Sequence, residues 1–268
     1  MNVAGSECVS IEIGGMSIAL HTDDHAFGQL LRSRYAGFVR TESASHFEFD
    51  VQLCHPSTSD GPDDDVQVGR DGADWLLQRG DFHARWNPDA GRGFIRQTSN
   101  PFAVDSVLRI VHTLILARQG GFLLHAASTI RNGNAFLLSG VSGAGKTTIS
   151  RLAPPDVTLL TDEVSYVRRN FKRYTAFGTP FAGELAKSGE NLFAPIKCLF
   201  FLEKGSCNRI GPISAPDAVQ RLLRNILFFA HDSELVEMVF QSACEFVSLV
   251  PVNRLIFTPD ARVWEIIR

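Results

Sequence analysis

The chain of 268 residues has no Cys-x-x-Cys pair, no internal repeat, no low-complexity tract, no long apolar run and no excess of positive charge. Each absence removes a class of function. Its five cysteines, Cys8, Cys54, Cys198, Cys207 and Cys244, are odd in number and scattered. That fits neither a disulfide framework nor a zinc knuckle, and reads as reduced, mostly buried thiols of a cytosolic protein. Lys plus Arg number 26 against 29 Asp plus Glu, a net charge of −3. A general nucleic-acid binder shows a basic excess, so nucleic acid is not expected as a partner. The most apolar stretches, Ile110–Ala117 and Pro195–Leu202, are far too short to span a bilayer, and no membrane partner is expected. Met1–Ser10 contains Glu7 and lacks a basic start and an apolar run, so it does not read as a signal peptide. The expectation is a soluble, cytoplasmic protein; self-association into a homo-oligomer is left open.

What is present is an ordinary globular composition, 44% hydrophobic and 21% charged, in a chain long enough to bury a large core without disulfides or metal. Residues 8–20 read as two strands around Gly14–Gly15, and 24–34 as a short helix with Leu30 and Leu31 on its apolar side. His46–Leu53 alternates like a half-buried strand, while 55–65 is loop chemistry ending in Asp63–Asp65, read as a solvated acidic loop rather than a metal site. Trp75–Leu77, Phe82–Trp86 and Gly93–Arg96 read as a small meander. From Pro101 the period changes: Val104, Val107, Leu108, Val111, Leu114 and Ile115 recur at helical spacing until Gly120–Gly121. Further on, strands at Val157–Thr161, Leu199–Leu202 and Arg254–Phe257 alternate with helices at Pro216–Phe229 and Ser233–Val247. The expected organisation is a β-rich module with a connecting helix over 1–118, followed by an α/β domain over 119–268.

The decisive motif is Gly140-Val141-Ser142-Gly143-Ala144-Gly145-Lys146-Thr147, which satisfies the phosphate-loop pattern of glycine, four residues, then Gly-Lys-Ser/Thr. Its glycines let backbone N–H groups approach phosphate oxygens. Lys146 can reach the β- and γ-phosphates, and the Thr147 hydroxyl can bind Mg²⁺. An apolar strand, Ala135–Leu138, enters the loop and a helix leaves it, adding its N-terminal dipole, so that the loop and the following Thr148 are the expected nucleotide-binding residues. Pro154–Pro155 must stop that helix early.

Phe122–Ile130 reads as a strand, and Asn132–Gly133 predicts a two-residue hairpin turn. With that turn, Arg131 faces Asn134 and His125 falls level with Gly140, beside the phosphates. There it would act as a phosphate or carboxylate contact near neutral pH. Asp162 and Glu163 stand at the end of the strand after the loop's helix, at the same sheet edge. One carboxylate can orient Mg²⁺ while the other takes a proton from an attacking hydroxyl. Glu184, after the Gly/Pro-rich segment Gly178–Gly183, is a candidate for a further metal ligand, an acceptor contact or a surface carboxylate. The basic run Arg168–Arg173 reads as a solvated hairpin, or as an attractor of an acidic acceptor or nucleotide.

Gly121-Phe-Leu-Leu-His-Ala-Ala127, Leu138-Ser-Gly-Val-Ser-Gly-Ala-Gly-Lys-Thr147 and Leu160-Thr-Asp-Glu163 together resemble the catalytic domain of the HPr kinase/phosphorylase family. The resemblance is strong over about 118–185 and weaker over 252–267. It implies a P-loop kinase domain of mixed sheet and flanking helices. It also implies ATP-dependent phosphorylation of a serine hydroxyl, with Asp162 as the base and His125 nearby; from the residues themselves, Thr147, Glu163 and Glu184 are the expected ligands of Mg²⁺. This chain carries Glu163 where the HPr kinases have aspartate, lacks their Glu-x-Arg-Gly segment, and has a different N-terminal module. It looks closer to HPr kinase-like proteins that include kinases tailoring lasso and other ribosomal peptides. The expected activity is γ-phosphoryl transfer from ATP, or a related nucleoside triphosphate, to a peptide or protein. The alternatives are a small-metabolite kinase and a nucleotide-gated binding protein with little or no transfer.

Overall fold

The computed structural model describes residues 6–41, 44–55, 65–181 and 189–268. It divides into two compact units, Met1–Leu114 with Phe228–Asp232, and Ile115–Leu227 with Ser233–Arg268. Both are mixed α/β, each built on a mixed sheet with few helices.

The first unit begins with the hairpin of β1 (Glu7–Ile13) and β2 (Met16–Thr22). Gly14 and Gly15 form its turn, both at positive φ, a conformation that costs glycine nothing. α1 (His25–Arg34) is capped by Asp24, whose side chain accepts from the Phe27 amide at 2.8 Å. It buries Phe27 and Leu31, whereas Leu30 faces outward, because adjacent helical residues lie about 100° apart. Then follow β3 (Phe47–Leu53), β4 (Gln67–Asp71), β5 (Asp74–Arg79), β6 (Phe82–Asn87) and β7 (Arg92–Gln97). The sheet order is β1-β2-β3-β7-β6-β5-β4, parallel at β2/β3 and β3/β7 and antiparallel elsewhere. β4 has no counterpart in the expected meander. Nearly all its residues are exposed, so it carries no apolar alternation to betray it. Of the 55–65 loop, residues 56–64 lie outside the described residues. α2 (Pro101–Arg118) buries Val104, Val107, Leu108, Val111 and Leu114 completely, and the division between the units falls within it.

The second unit contains β8 (Phe122–Arg131), β9 (Asn134–Ser139), α3 (Lys146–Arg151), β10 (Thr158–Thr161), β11 (Val164–Asn170) and β12 (Arg173–Phe177). After them come β13 (Phe193–Lys204), β14 (Arg209–Pro212), α4 (Ala215–Leu223), β15 (Ile226–Leu227), α5 (Ser233–Leu249) and β16 (Val252–Phe257). β13 pairs with β12 through 193–195 and with β9 through 196–201, so the pairings β8–β9–β13–β12–β11–β8 return on themselves. One apolar cluster gathers Leu124, Leu137, Leu160, Leu199 and Phe246. A second gathers Phe136, Leu138, Ile149, Phe200, Phe257 and Trp264, and the helix α3 is seated on it.

Two expectations are corrected here. The helix expected over 216–229 stops at Leu223, and Ile226–Leu227 instead pair with β8 at Leu124 and Leu123, because β8 offers backbone partners there. The thiols are not mostly buried. All five are free, but Cys8, Cys207 and Cys244 are exposed, on the edge strand β1, in a turn and on the outer side of α5; only Cys198 is buried. Among the described residues no helix is long and apolar enough to cross a membrane.

Candidate active site

The β8–β9 turn has Asn132 at φ 51° and Gly133 at φ 73°, the two left-handed residues of a type I′ hairpin. The ladder runs from Arg131↔Asn134 to Ala126↔Ser139, the expected register, and stops one step short of His125 and Gly140. His125 is fixed through its backbone instead. Its N–H donates to the Asn225 carbonyl at 2.7 Å, its carbonyl accepts from Ser139 Oγ at 2.9 Å, and Val164 lies opposite.

The chain leaves β9 into the glycine loop. A Cβ on Gly140 would meet Ala144 Cβ at 2.8 Å. Gly145 sits at φ 109°, and a Cβ there would meet the Phe257 ring at 2.7 Å. Gly140 therefore requires glycine for space, and Gly145 for both conformation and space. Ala144 is buried in the Phe257 cluster and its N–H donates to Val141 O at 3.0 Å, which ties the loop down. Val141, by contrast, is 74% exposed. Lys146 opens α3 and is 8% exposed, its Nζ donating to Gly140 O at 3.1 Å across the base of the loop. α3 is six residues long and ends ahead of Pro154–Pro155.

Across from the loop, β10 and β11 are joined by Asp162 and Glu163. Asp162 is 5% exposed, and Glu163 is tied to β8 by its carbonyl, which accepts from Ala126 N–H at 2.9 Å. A cleft of about 400 Å³ results. Ser142, Gly143, Gly145, Lys146, Thr147 and Thr148 line one side of it, and His125, Asp162 and Glu163 the other. It thus joins a cation, two carboxylates, an imidazole and a helix N-terminus in one space.

Other expected residues lie elsewhere. Glu184 falls outside the described residues. Arg168–Arg173 forms the tip of the β11–β12 hairpin, with Phe171 at φ 55° and 90% exposed. Arg169 pairs with Glu245 at 2.6 Å. Since β11 begins beside His125, its far end lies roughly 20 Å from the cleft at strand rise. Asn225, Ser139 and Phe257 shape the site but were not legible as site residues. The first holds a backbone about 100 positions away, and the last reads only as a strand end.

Residues 95–268 match the family described as SynChlorMet cassette protein ScmC, and the chain belongs to that family. No curated protein sequence matches it. Among solved structures it is similar to the Hpr(Ser) kinase/phosphatase from Coxiella burnetii at 13% identity and a TM-score of 0.27. That similarity spans 44% of this chain and 93% of the other, a likeness too low to speak for fold or activity.

Proposed function

We propose that this ScmC-family protein is an ATP-dependent P-loop kinase that transfers the γ-phosphoryl group to a serine-type hydroxyl of a peptide or protein. The observation that carries the reading is the cleft itself, where the glycine loop and Lys146 face Asp162, Glu163 and His125. The positive-φ glycines Gly143 and Gly145, followed at once by a helix N-terminus, suit a phosphate chain, since they turn amides and the helix dipole toward anionic oxygen. Lys146 supplies a point charge to the β- and γ-phosphates. Among the described residues no group of three or more His, Cys, Asp or Glu side chains is arranged to hold a metal ion. The oxygen donors Thr147 and Glu163 suit Mg²⁺, which keeps waters and shares its shell with phosphate. When bound, Mg²⁺ would neutralise charge on the transferring group.

Asp162 takes the proton of the acceptor hydroxyl. The acceptor oxygen bonds to the γ-phosphorus as the bridging oxygen leaves with the nucleoside diphosphate. Its near-complete burial keeps bulk water from competing for that position. His125 contacts phosphate or acceptor from the adjacent strand. Acceptor choice is assigned to the β-rich first unit and the 178–190 segment, and the reaction to the cytoplasm, where ATP is available.

The test is incubation of the purified protein with γ-labelled ATP and candidate acceptors. The family description, a cassette protein, makes products of the same cassette the first to try. Acid-stable label on a peptide serine supports the reading. Label on a small metabolite, or nucleotide binding with no transfer to any acceptor, replaces it with a metabolite kinase or a gated binder.

A further inference from the structure

Asp162 and Glu163 bridge two strands without belonging to either, and something must fix so short a link. Thr179, two residues beyond the end of β12, does so. Its side chain is completely buried, and its hydroxyl lies 2.8 Å from the Val164 carbonyl and 3.3 Å from the Thr161 hydroxyl. Thr161 Oγ1 in turn accepts from the Glu163 amide at 3.4 Å. A hydroxyl has one proton to give. Thr179 is the donor in both contacts, giving its proton chiefly to the carbonyl, the nearer and stronger acceptor, with the Thr161 hydroxyl as the longer second acceptor. The bonds converge on the two sides of the acid pair: Glu163 N–H and Thr179 O–H both point at Thr161 Oγ before it, and Thr179 O–H binds Val164 C=O after it.

The surroundings leave Thr179 little freedom. A Cβ on the preceding Gly178 would meet Glu190 O at 1.9 Å and Leu160 O at 3.0 Å. A Cβ on Gly189 would meet Leu160 O at 1.8 Å, and the Gly189 amide donates to Thr179 O at 3.1 Å. Gly178 and Gly189 are thus packed on the backbone of β10, two residues before Asp162, as only glycine permits.

We infer that Thr179 is a positioning residue for the catalytic acid pair, holding the Asp162–Glu163 link in the conformation that aims both carboxylates at the cleft. The inference rests on the kinase reading for its functional consequence, but the hydrogen-bonded brace is testable without it. Thr179→Val removes the hydroxyl at nearly constant shape, and Thr179→Ser keeps it. Amide hydrogen exchange at Glu163 is expected to speed by about 10-fold or more in Thr179→Val and to stay near wild type in Thr179→Ser. Nucleotide affinity without metal is expected to stay within about 2-fold in both, because the glycine loop is untouched, while the gain in affinity on adding Mn²⁺ shrinks in the valine variant alone. Transfer should show kcat reduced about 10-fold or more with acceptor KM little changed, rescued by serine. Unchanged exchange at Glu163 in Thr179→Val overturns the brace. Faster exchange with unchanged metal dependence and unchanged kcat overturns the positioning role. A wild type that transfers to no acceptor overturns the kinase reading, and exchange and metal dependence then still decide the role of Thr179.

Discussion

Lys146 and Asp162 both line the cleft and are both nearly buried, yet they should fail in different ways when replaced. Lys146 is a cation aimed at a phosphate chain, and its Nζ bond to Gly140 O also helps close the loop. Lys146→Ala should therefore lower nucleotide affinity by about 10²-fold, at the scale of a lost charge-assisted contact, with the fold retained. Titration with a fluorescent nucleotide checks this, and normal affinity in a folded variant would remove the phosphate-loop reading. Asp162 is asked to accept a proton, which only transfer needs. Asp162→Asn preserves shape and should leave nucleotide affinity nearly intact while single-turnover transfer falls roughly 10²-fold or more. Unchanged transfer would move the base to Glu163 or His125. The contrast between the two variants separates binding from chemistry, which neither does alone.

Among the elements, the β8–β9 hairpin sets where His125 ends up, so its turn is the place to perturb. Asn132 and Gly133 both stand in the left-handed region, where alanine costs about 1–2 kcal/mol per residue. The double change Asn132→Ala/Gly133→Ala should lower stability by roughly 1–3 kcal/mol, read as a fall in the denaturant midpoint at constant slope. An unmoved midpoint would mean that the turn does not hold the register. This hairpin was legible because its signals are local: an Asn-Gly pair, two apolar runs and a counting rule. The same holds for the β1–β2 turn, for α2 with its clean helical period, and for the glycine loop and the acids that follow it. Elements made by distant partners were not legible. β15 is two residues of strand that exist because β8 has a free edge, and β4 pairs with β5 while burying almost nothing. β13 runs from Phe193 to Lys204, well beyond the apolar 199–202, because three different strands pair along it. At the site the division is the same: the residues of the motif could be read, whereas Asn225, Phe257 and Thr179 arrive through pairings that no local pattern announces.

The stability of the whole molecule carries a mark that depends on neither nucleotide nor acceptor. His112, on α2, is completely buried with its ring edge-on to Phe47, 6.4 Å between centroids. Burial alone pushes its pKa down from 6.5 to about 3, because the charged ring would lose its hydration. In the unfolded chain it returns to the ordinary value. Between those two pH values the unfolded state binds the extra proton, so stability falls as pH falls, by about 1.4 kcal/mol per unit at the steepest. Three carboxylates held below their ordinary values by charged or hydrogen-bonding neighbours, Glu7, Glu48 and Asp260, pull in the same direction. Their stabilisation is present above their unfolded values of 4.5, 4.5 and 3.8 and is lost as pH drops through the lower folded ones. The window from about pH 6.5 to 4.5 therefore belongs to the histidine. His112→Leu, close in volume and without a charge to acquire, should flatten the dependence of unfolding free energy on pH across that window while leaving the steeper loss below it. Denaturant titrations of both proteins at pH 7, 6 and 5 measure the difference. Parallel curves would mean that His112 gains a proton in the folded state as readily as in the unfolded one, and that its burial does not govern the acid response.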